Sequence, residues 1–157
     1  MLERAIGLAV RCHAGQFRKH AMGGQRLPYI VHSIEVMRTV WGWGVAEPMI
    51  MTAAVLHDIL EESDVTIRQL DKEFGADVAQ LVKELTHDPQ DGDKHEYLKR
   101  FATASVPALV IKLADRYCNI QHRLVAYPAG VNAYFGKSAV LLEIMQSRRS
   151  EIAGRFS

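Results

Sequence analysis

The residues best suited to catalysis lie close together in the chain. His57 and Asp58 are followed one helical turn later by Glu61 and Glu62. Because residues three and four apart share a helical face, this spacing predicts one face that presents an imidazole and two carboxylates. Neutral imidazole and ionised carboxylate are good ligands for a borderline or hard divalent metal ion. The run therefore predicts metal-dependent chemistry.

Two further candidate ligands, His32 and Asp115, lie in other apolar helical segments. A carboxylate buried without a partner is costly, so such a group normally pairs or coordinates a metal. Two histidines and two aspartates would leave coordination positions open for water and substrate. Each residue alone is weak evidence, since a core histidine is usually just hydrogen-bonded and Asp115 beside Arg116 could form an ordinary salt bridge.

The remaining histidines are assigned no chemistry. A second His-Asp pair, His87-Asp88, precedes Pro89 in a polar loop predicted over residues 86–92, and no glutamate follows one turn later. We expect His13 to support the first loop structurally. The other unassigned histidines are His20, His95 and His122.

Helical periodicity predicts the elements that position these residues, and the expected fold is an all-α bundle. The segment 47–62 is apolar on nearly every face until His57, which is typical of a central helix. Thr66 and Gln69 form a capping-box pattern, and Gly75 is a plausible C-cap. The run 108–113 is the one place where a buried strand could lie. The predicted helices cover residues 2–14, 28–40, 47–62, 66–75, 77–85, 93–103, 107–124 and 132–152.

Composition bounds the protein class. The chain has 157 residues, 48% of them hydrophobic, and a formal net charge of +1. We expect one domain over residues 1–157, and the charge argues against a nucleic-acid-binding module.

The apolar stretch 48–56 is too short to span a bilayer, so we expect a cytoplasmic protein with no membrane partner. Cys12 and Cys118 lack metal-type spacing, so we expect both to be free thiols. Trp41 and Trp43 could form a patch for self-association, although core packing is the expected explanation.

Taken together, the motifs resemble the HD-domain superfamily of metal-dependent phosphohydrolases. Within it the chain is most similar to the hydrolase domain of RelA/SpoT-type alarmone enzymes of the stringent response, in their small stand-alone form. The resemblance covers nearly the whole chain, and its ordered motifs are HAGQFRK at 13–19, PYIVH at 28–32, AAVLHD at 53–58, FG at 74–75, LT at 85–86 and VIKLADR at 110–116, with Asn119.

The resemblance implies a single HD-domain helical bundle and one metal ion, usually manganese, held by His32, His57, Asp58 and Asp115. It also implies a pyrophosphohydrolase that removes the 3′-pyrophosphate of guanosine 3′,5′-bis(diphosphate), or of its pentaphosphate relative. The expected partner is thus a small phosphorylated nucleotide.

The expected catalytic residues are Glu61 and Glu62. Glu61 would orient or deprotonate the attacking water, with Glu62 behind it. The family usually carries Glu-Asp at these two positions, so Glu62 is one methylene longer than expected. A shift of about 1 Å can reduce a rate strongly where geometry is tight. Reduced turnover or a different preferred substrate is therefore an open alternative.

The expected substrate contacts come from the first loop and the later helices. Arg18 and Lys19 occupy family positions that face the nucleotide. Lys112 and Asn119 lie three before and four after Asp115, hence on the same helical face, where they could reach a phosphate or the ribose. The full expected set is Arg18, Lys19, Lys112, Asn119 and Tyr134.

Two alternatives stay open. HD-domain proteins also hydrolyse other nucleotides, including nucleoside monophosphates and the 2′-phosphate of NADPH, and metal ligands do not discriminate among them. The chain could instead be a nucleotide sensor with a weakened site, which only Glu62 supports. The ligand types also accept magnesium, iron or zinc, and the oligomeric state is not fixed by the sequence.

Overall fold

Apolar residues recur at helical spacing, and the computed structural model of the protein forms helices at those positions. It describes residues 1–88, 90 and 92–156; of the predicted 86–92 loop, Pro89 and Asp91 lie outside the described residues. The all-α prediction is confirmed, because the described residues form no strand beyond isolated bridges. The helices are α1 (Leu2–Cys12), α2 (Ile30–Gly42), α3 (Pro48–Val55), α4 (Ile59–Glu62), α5 (Ile67–Phe74), α6 (Ala76–Leu85), α7 (Lys94–Lys99), α8 (Val106–Ala126), α9 (Val131–Ser147) and α10 (Arg149–Phe156), with 3₁₀ turns at Arg100–Ala102 and Pro128–Gly130.

Helix α3 lies at the centre of the bundle, as its apolar sequence predicts. It packs against α1, α2, α6 and α8. Its residues Ile50, Ala53 and Val55 are fully buried, and burying a side chain such as Ile50 contributes about 1.5–3 kcal/mol. The central helix thereby fixes the end of the chain segment that carries His57.

Local capping signals set several helix boundaries. The predicted capping box is confirmed: Thr66 accepts a hydrogen bond from the Gln69 backbone, and the Gln69 side chain accepts one from the Thr66 backbone. Ser105 caps α8, whose first turn holds Pro107. The run 108–113 lies inside α8, which excludes the strand alternative.

The prediction of one continuous helix over residues 47–62 is wrong. Helix α3 ends at Val55 and α4 begins at Ile59, because Leu56 and Asp58 leave helical geometry (φ −97°, ψ 6° and φ −104°, ψ 0°). His57 and Asp58 therefore lie in a turn, and the expected shared helical face with Glu61 does not form. The turn lets both side chains enter the site from the end of a buried helix.

Two further expectations need correction. The predicted helix over residues 132–152 divides at Arg148, whose guanidinium donates to the carbonyls of Phe101 and Ala104. Trp41 and Trp43 are 62% and 47% exposed, so the core-packing explanation is wrong. No helix within the described residues is both long enough and apolar enough to cross a membrane.

Candidate metal centre and nucleotide cavity

Four predicted ligands from three parts of the fold converge. His32 comes from α2, His57 and Asp58 from the turn after α3, and Asp115 from α8. Donor atoms of His32, His57 and Asp58 all lie within 4.8 Å of one another. The His32 Nε2 atom is 3.1 Å from Asp115 Oδ1, and His57 Nε2 is 3.9 Å from the same oxygen. The structure thus brings together all four residues proposed as ligands.

The hydrogen bonding of His57 tests whether this cluster suits a cation. Its Nδ1 lies 2.9 Å from the Ala54 carbonyl, so Nδ1 carries a proton and Nε2 is the atom left to face the cluster. Nε2 is buried and lies 3.0 Å from Asp58 Oδ2. A bare lone pair this close to a carboxylate oxygen is unfavourable, so Nε2 takes up either a proton, as the raised pKa of His57 indicates, or a metal ion. The donor set therefore fits a metal ion.

The electrostatics of the cluster favour ionised carboxylates and added positive charge. Burial alone would raise the pKa of Asp58 and of Asp115. The charge of His57 lowers the pKa of Asp58, and that of Lys112 lowers the pKa of Asp115. These attractions outweigh burial, so both pKa values fall below the ordinary range. Burial lowers the pKa of His32, which keeps that imidazole neutral as a ligand must be. Burial also opposes charge on His57, yet the nearby carboxylates raise its pKa overall.

Asp115 is held by side chains predicted to touch substrate. Lys112 Nζ lies 3.0 Å from Asp115 Oδ2 and is itself buried. The Asn119 side chain bridges two residues. Its Nδ2 donates to Asp115 Oδ1, and its Oδ1 accepts a 2.9 Å hydrogen bond from the Arg18 guanidinium. Lys112 also lies 5.0 Å from the centre of the Tyr97 ring, a cation–π contact. These contacts fix the carboxylate without involving a ligand.

The residues just before α2 orient the Asp58 carboxylate. Tyr29, the residue before α2, donates its hydroxyl hydrogen bond to Asp58 Oδ2. Its ring packs 4.8 Å from that of His13, whose Nδ1 bonds to Gln16 Oε1 at 2.8 Å. These contacts agree with the supporting role expected for His13.

Glu61 and Glu62 reach the same cavity from α4. The Glu61 carboxylate accepts a 2.8 Å hydrogen bond from the His87 backbone, which ties α4 to the loop after α6. Desolvation and the neighbouring Asp58 raise the pKa of Glu61, which suits a proton acceptor near neutral pH. Gln16 donates to the Glu62 backbone carbonyl at 2.7 Å, so the first loop also braces α4.

A cavity of about 260 Å³ opens over the carboxylate side of the cluster. Its wall carries four carboxylates, from Asp58, Glu61, Glu62 and Asp115, together with several cationic side chains. The rings of His32 and His57 are 1% exposed and lie behind the wall. The five residues predicted to contact substrate all line the cavity: Arg18, Lys19, Lys112, Asn119 and Tyr134.

Sequence reasoning missed several residues of this wall. Tyr29 belongs to the motif PYIVH and precedes His32 by one helical turn, but its residue type alone predicts no role in the site. Arg123 follows Arg116 by seven positions, a spacing that places both on one face of α8. His87, to which the sequence assigns no chemistry, lines the cavity beside Glu61. The further cavity residues that the prediction did not include are His20, Lys94, Tyr97 and His122.

Comparison with known proteins identifies the class. Residues 5–134 match the HD domain family, and the chain belongs to that family.

Individual relatives indicate the group within this family that the chain is similar to. The chain is 31% identical to guanosine-3′,5′-bis(diphosphate) 3′-pyrophosphohydrolase MESH1 of Mus musculus and of Homo sapiens, over 96% of this chain and 88% of each relative. It is 32% identical to the guanosine-3′,5′-bis(diphosphate) 3′-pyrophosphohydrolase of Aquifex aeolicus over 76% of this chain, but over only 17% of that longer protein. The resemblance to this group is confirmed.

A solved structure agrees with the sequence comparison. It belongs to a metazoan ortholog of SpoT that hydrolyzes ppGpp and plays a role in starvation responses. It superposes with a TM-score of 0.81 at 28% identity, over 92% of this chain and 84% of that one. The same helical architecture therefore extends across nearly all of both chains.

Proposed function

We propose that the protein hydrolyses the 3′-diphosphate of guanosine 3′,5′-bis(diphosphate), or of its pentaphosphate relative, and releases pyrophosphate. The observation that carries the proposal is the convergence of two buried imidazoles and two carboxylates beside a cavity that several cationic side chains also line. A polyanionic nucleotide fits such a cavity. The activity named for the MESH1 relatives supports the same substrate.

The proposed metal ligands are His32, His57, Asp58 and Asp115. A divalent ion there, most simply manganese, would supply Lewis-acid activation of water and of a phosphoryl oxygen. The buried Nε2 of His57, 3.0 Å from Asp58 Oδ2, supports this assignment, because a metal ion can take the place of a proton between the two atoms.

Glu61 is proposed to accept the proton of the attacking water. Water adds to the phosphorus that is joined to the 3′ oxygen, and the bond between that phosphorus and the 3′ oxygen breaks. The 3′ oxygen takes up a proton, which leaves a 3′-hydroxyl on the nucleotide and free pyrophosphate. The raised pKa of Glu61 and its hydrogen bond from His87 support this role, because they tune and hold the carboxylate. Glu62 lines the cavity beside it and is proposed to orient the same water.

The proposed substrate contacts are those lining the cavity. Arg18 and Lys19 supply positive charge from the first loop. Lys112 and Asn119 act mainly through Asp115, which both contact. Tyr134 lines the cavity with Arg116 and Arg123 over its ring, so it contributes to the wall that faces the nucleotide. We also propose a cytoplasmic protein in which one HD-type domain covers residues 1–157, with a small nucleotide as its partner.

The deciding experiment is pyrophosphate release from guanosine 3′,5′-bis(diphosphate) by metal-stripped protein, with and without added manganese. We expect release only with metal. Glu61→Gln should keep the metal and lose at least about 100-fold in rate, as removal of a general base does. Glu143→Gln, on the exposed face of α9, is the matched control and should behave as wild type.

Other outcomes distinguish the alternatives. Unchanged turnover in Glu61→Gln would remove this residue from the mechanism. Bound metal without release would direct the search to NADPH and nucleoside monophosphates, or to a nucleotide sensor. Glu62→Asp would then be the first variant to make, because it restores the carboxylate position usual in the family.

A further inference from the structure

Beyond Asp115, the next two turns of α8 bring basic side chains to the cavity wall, where Lys19 and His20 from the loop before α2 join them. We call this cluster, Lys19, His20, Arg116, His122 and Arg123, the basic end. The Nε2 atom of His122 lies 3.1 Å from the His20 carbonyl oxygen, so the loop and α8 meet here and present these side chains to one cavity.

The cations of the basic end are not neutralised by the protein. Among the described residues, no ion pair joins Lys19, Arg116 or Arg123 to a carboxylate. The Nε atom of Arg116 is buried and has no hydrogen-bond partner among the residues that the structure describes. Lys112 differs, because Asp115 neutralises it. The positive charge of the basic end is therefore available to an anion.

Aromatic rings hold these cations in place. The Arg123 guanidinium carbon lies 4.3 Å from the centre of the Tyr134 ring, and that of Arg116 lies 5.1 Å from it. His20 stacks on Tyr127 with centroids 4.5 Å apart and planes 8° from parallel. A guanidinium packed on a ring keeps its N–H edge for a planar or phosphate partner. The basic end is thus ordered before any anion arrives.

We propose that the basic end binds the 5′-diphosphate of the nucleotide. The inference rests on the proposed function: a 3′-diphosphate beside the carboxylates leaves the 5′ group of the same ribose to be placed elsewhere in the cavity. Arg116 and Arg123 are the cations best placed to receive it, since they lie on one face of α8, seven residues apart. The site then selects nucleotides with a 5′-diphosphate over those with a 5′-hydroxyl.

Kinetic measurements on the metal-loaded protein test this selection. Arg123→Ala should raise KM for guanosine 3′,5′-bis(diphosphate) by about tenfold or more, as expected for loss of a charge-assisted contact. The same substitution should have a much smaller effect on KM for guanosine 3′-diphosphate with a free 5′-hydroxyl. Equal effects on both substrates would overturn the proposal.

Two further variants separate charge from packing. Arg123→Lys keeps the charge and should retain most of the preference, whereas Arg123→Gln keeps a polar side chain without the charge and should lose it. Arg68→Ala, an exposed arginine on α5 outside the cavity, should leave the preference intact. Loss of the preference in Arg68→Ala or in Arg123→Lys would contradict the proposal.

A binding measurement needs no turnover and so separates this inference from the proposed hydrolysis. Calorimetry should show guanosine 5′-diphosphate binding to wild type at least about tenfold more tightly than guanosine, with the advantage lost in Arg123→Ala. If hydrolysis fails but this advantage holds, the basic end stands and only the reaction is wrong. If both ligands bind equally, the basic end is not a phosphate subsite.

Discussion

At the scale of single residues, Lys112 is the side chain on which Asp115 depends for its charge. Both groups are buried, and burial alone would favour the neutral form of each. The pKa of Lys112 is instead raised, because the attraction of Asp115 outweighs the desolvation. The pair therefore remains ionised inside the protein.

Removing the lysine should expose this dependence. Lys112→Met should lower the free energy of unfolding of the metal-free protein by about 3 kcal/mol, because it leaves a buried carboxylate without its cation. Urea unfolding in the presence of a chelator measures this change. A divalent ion should reduce the loss, since it replaces the missing positive charge.

The matched control is Lys83→Met, an exposed lysine on α6. A surface substitution of this kind should change stability by no more than about 0.5 kcal/mol. If Lys112→Met were equally mild in the chelated protein, the ion pair with Asp115 would not be what sustains the buried charge.

Residue types predicted much of the site, but not the contacts among them. His32, His57, Asp58 and Asp115 could be proposed because imidazoles and carboxylates in apolar segments call for a partner. The hydrogen bond from the Tyr29 hydroxyl to Asp58 could not be proposed, because a single tyrosine in a sequence does not indicate which residue its hydroxyl contacts.

At the scale of elements, the junction between α5 and α6 depends on one glycine. Gly75 has φ 91° and ψ 162°, and it serves as C-cap of one helix and N-cap of the next. The predicted C-cap at Gly75 is confirmed. A Cβ atom there would meet nothing within 4 Å, so any cost of adding one is conformational.

Gly75→Ala should therefore destabilise the protein by about 1–3 kcal/mol, the cost of a side chain in a region that only glycine readily adopts. Gly136→Ala in α9 is the matched control, since it too has open space but helical backbone. It should stabilise by about 0.5–1 kcal/mol. Thermal unfolding of the two variants should give shifts of opposite sign; equal signs would contradict the backbone argument.

Element types could be predicted from periodicity, whereas interruptions could not. Thr66 with Gln69 and Ser105 with Pro107 mark helix starts because their chemistry acts within one turn. The break between Val55 and Ile59 has no proline or glycine to signal it. Two side-chain contacts accompany the break: the Tyr29 hydroxyl donates to Asp58 from a distant part of the chain, and His57 donates to the Ala54 carbonyl three residues earlier.

At the scale of the whole molecule, the proposed ligands join α2, the turn after α3, and α8. An ion bound only by the folded protein stabilises it in proportion to the logarithm of its concentration. Manganese should therefore raise Tm by several degrees, and a chelator should reverse the shift; about 1 kcal/mol corresponds to roughly 2–4 °C in a chain of this size. Differential scanning calorimetry over a manganese series measures it.

The dependence on metal should vanish in His57→Ala and Asp58→Ala. His95→Ala, an exposed histidine outside the cavity, is the control and should keep the full shift. A manganese-dependent rise in Tm that persists in His57→Ala would exclude that residue from the ligand set.

The distance along the chain between His32 and Asp115 has a consequence for biosynthesis. Their side chains are hydrogen-bonded although 83 positions separate them. A ribosome makes the chain from the N-terminus, so His32, His57 and Asp58 emerge while Asp115 is still to be translated. The nascent protein can build its central helix early, but the fourth proposed ligand arrives only with α8. The complete set of four proposed ligands can therefore form only after α8 has been translated.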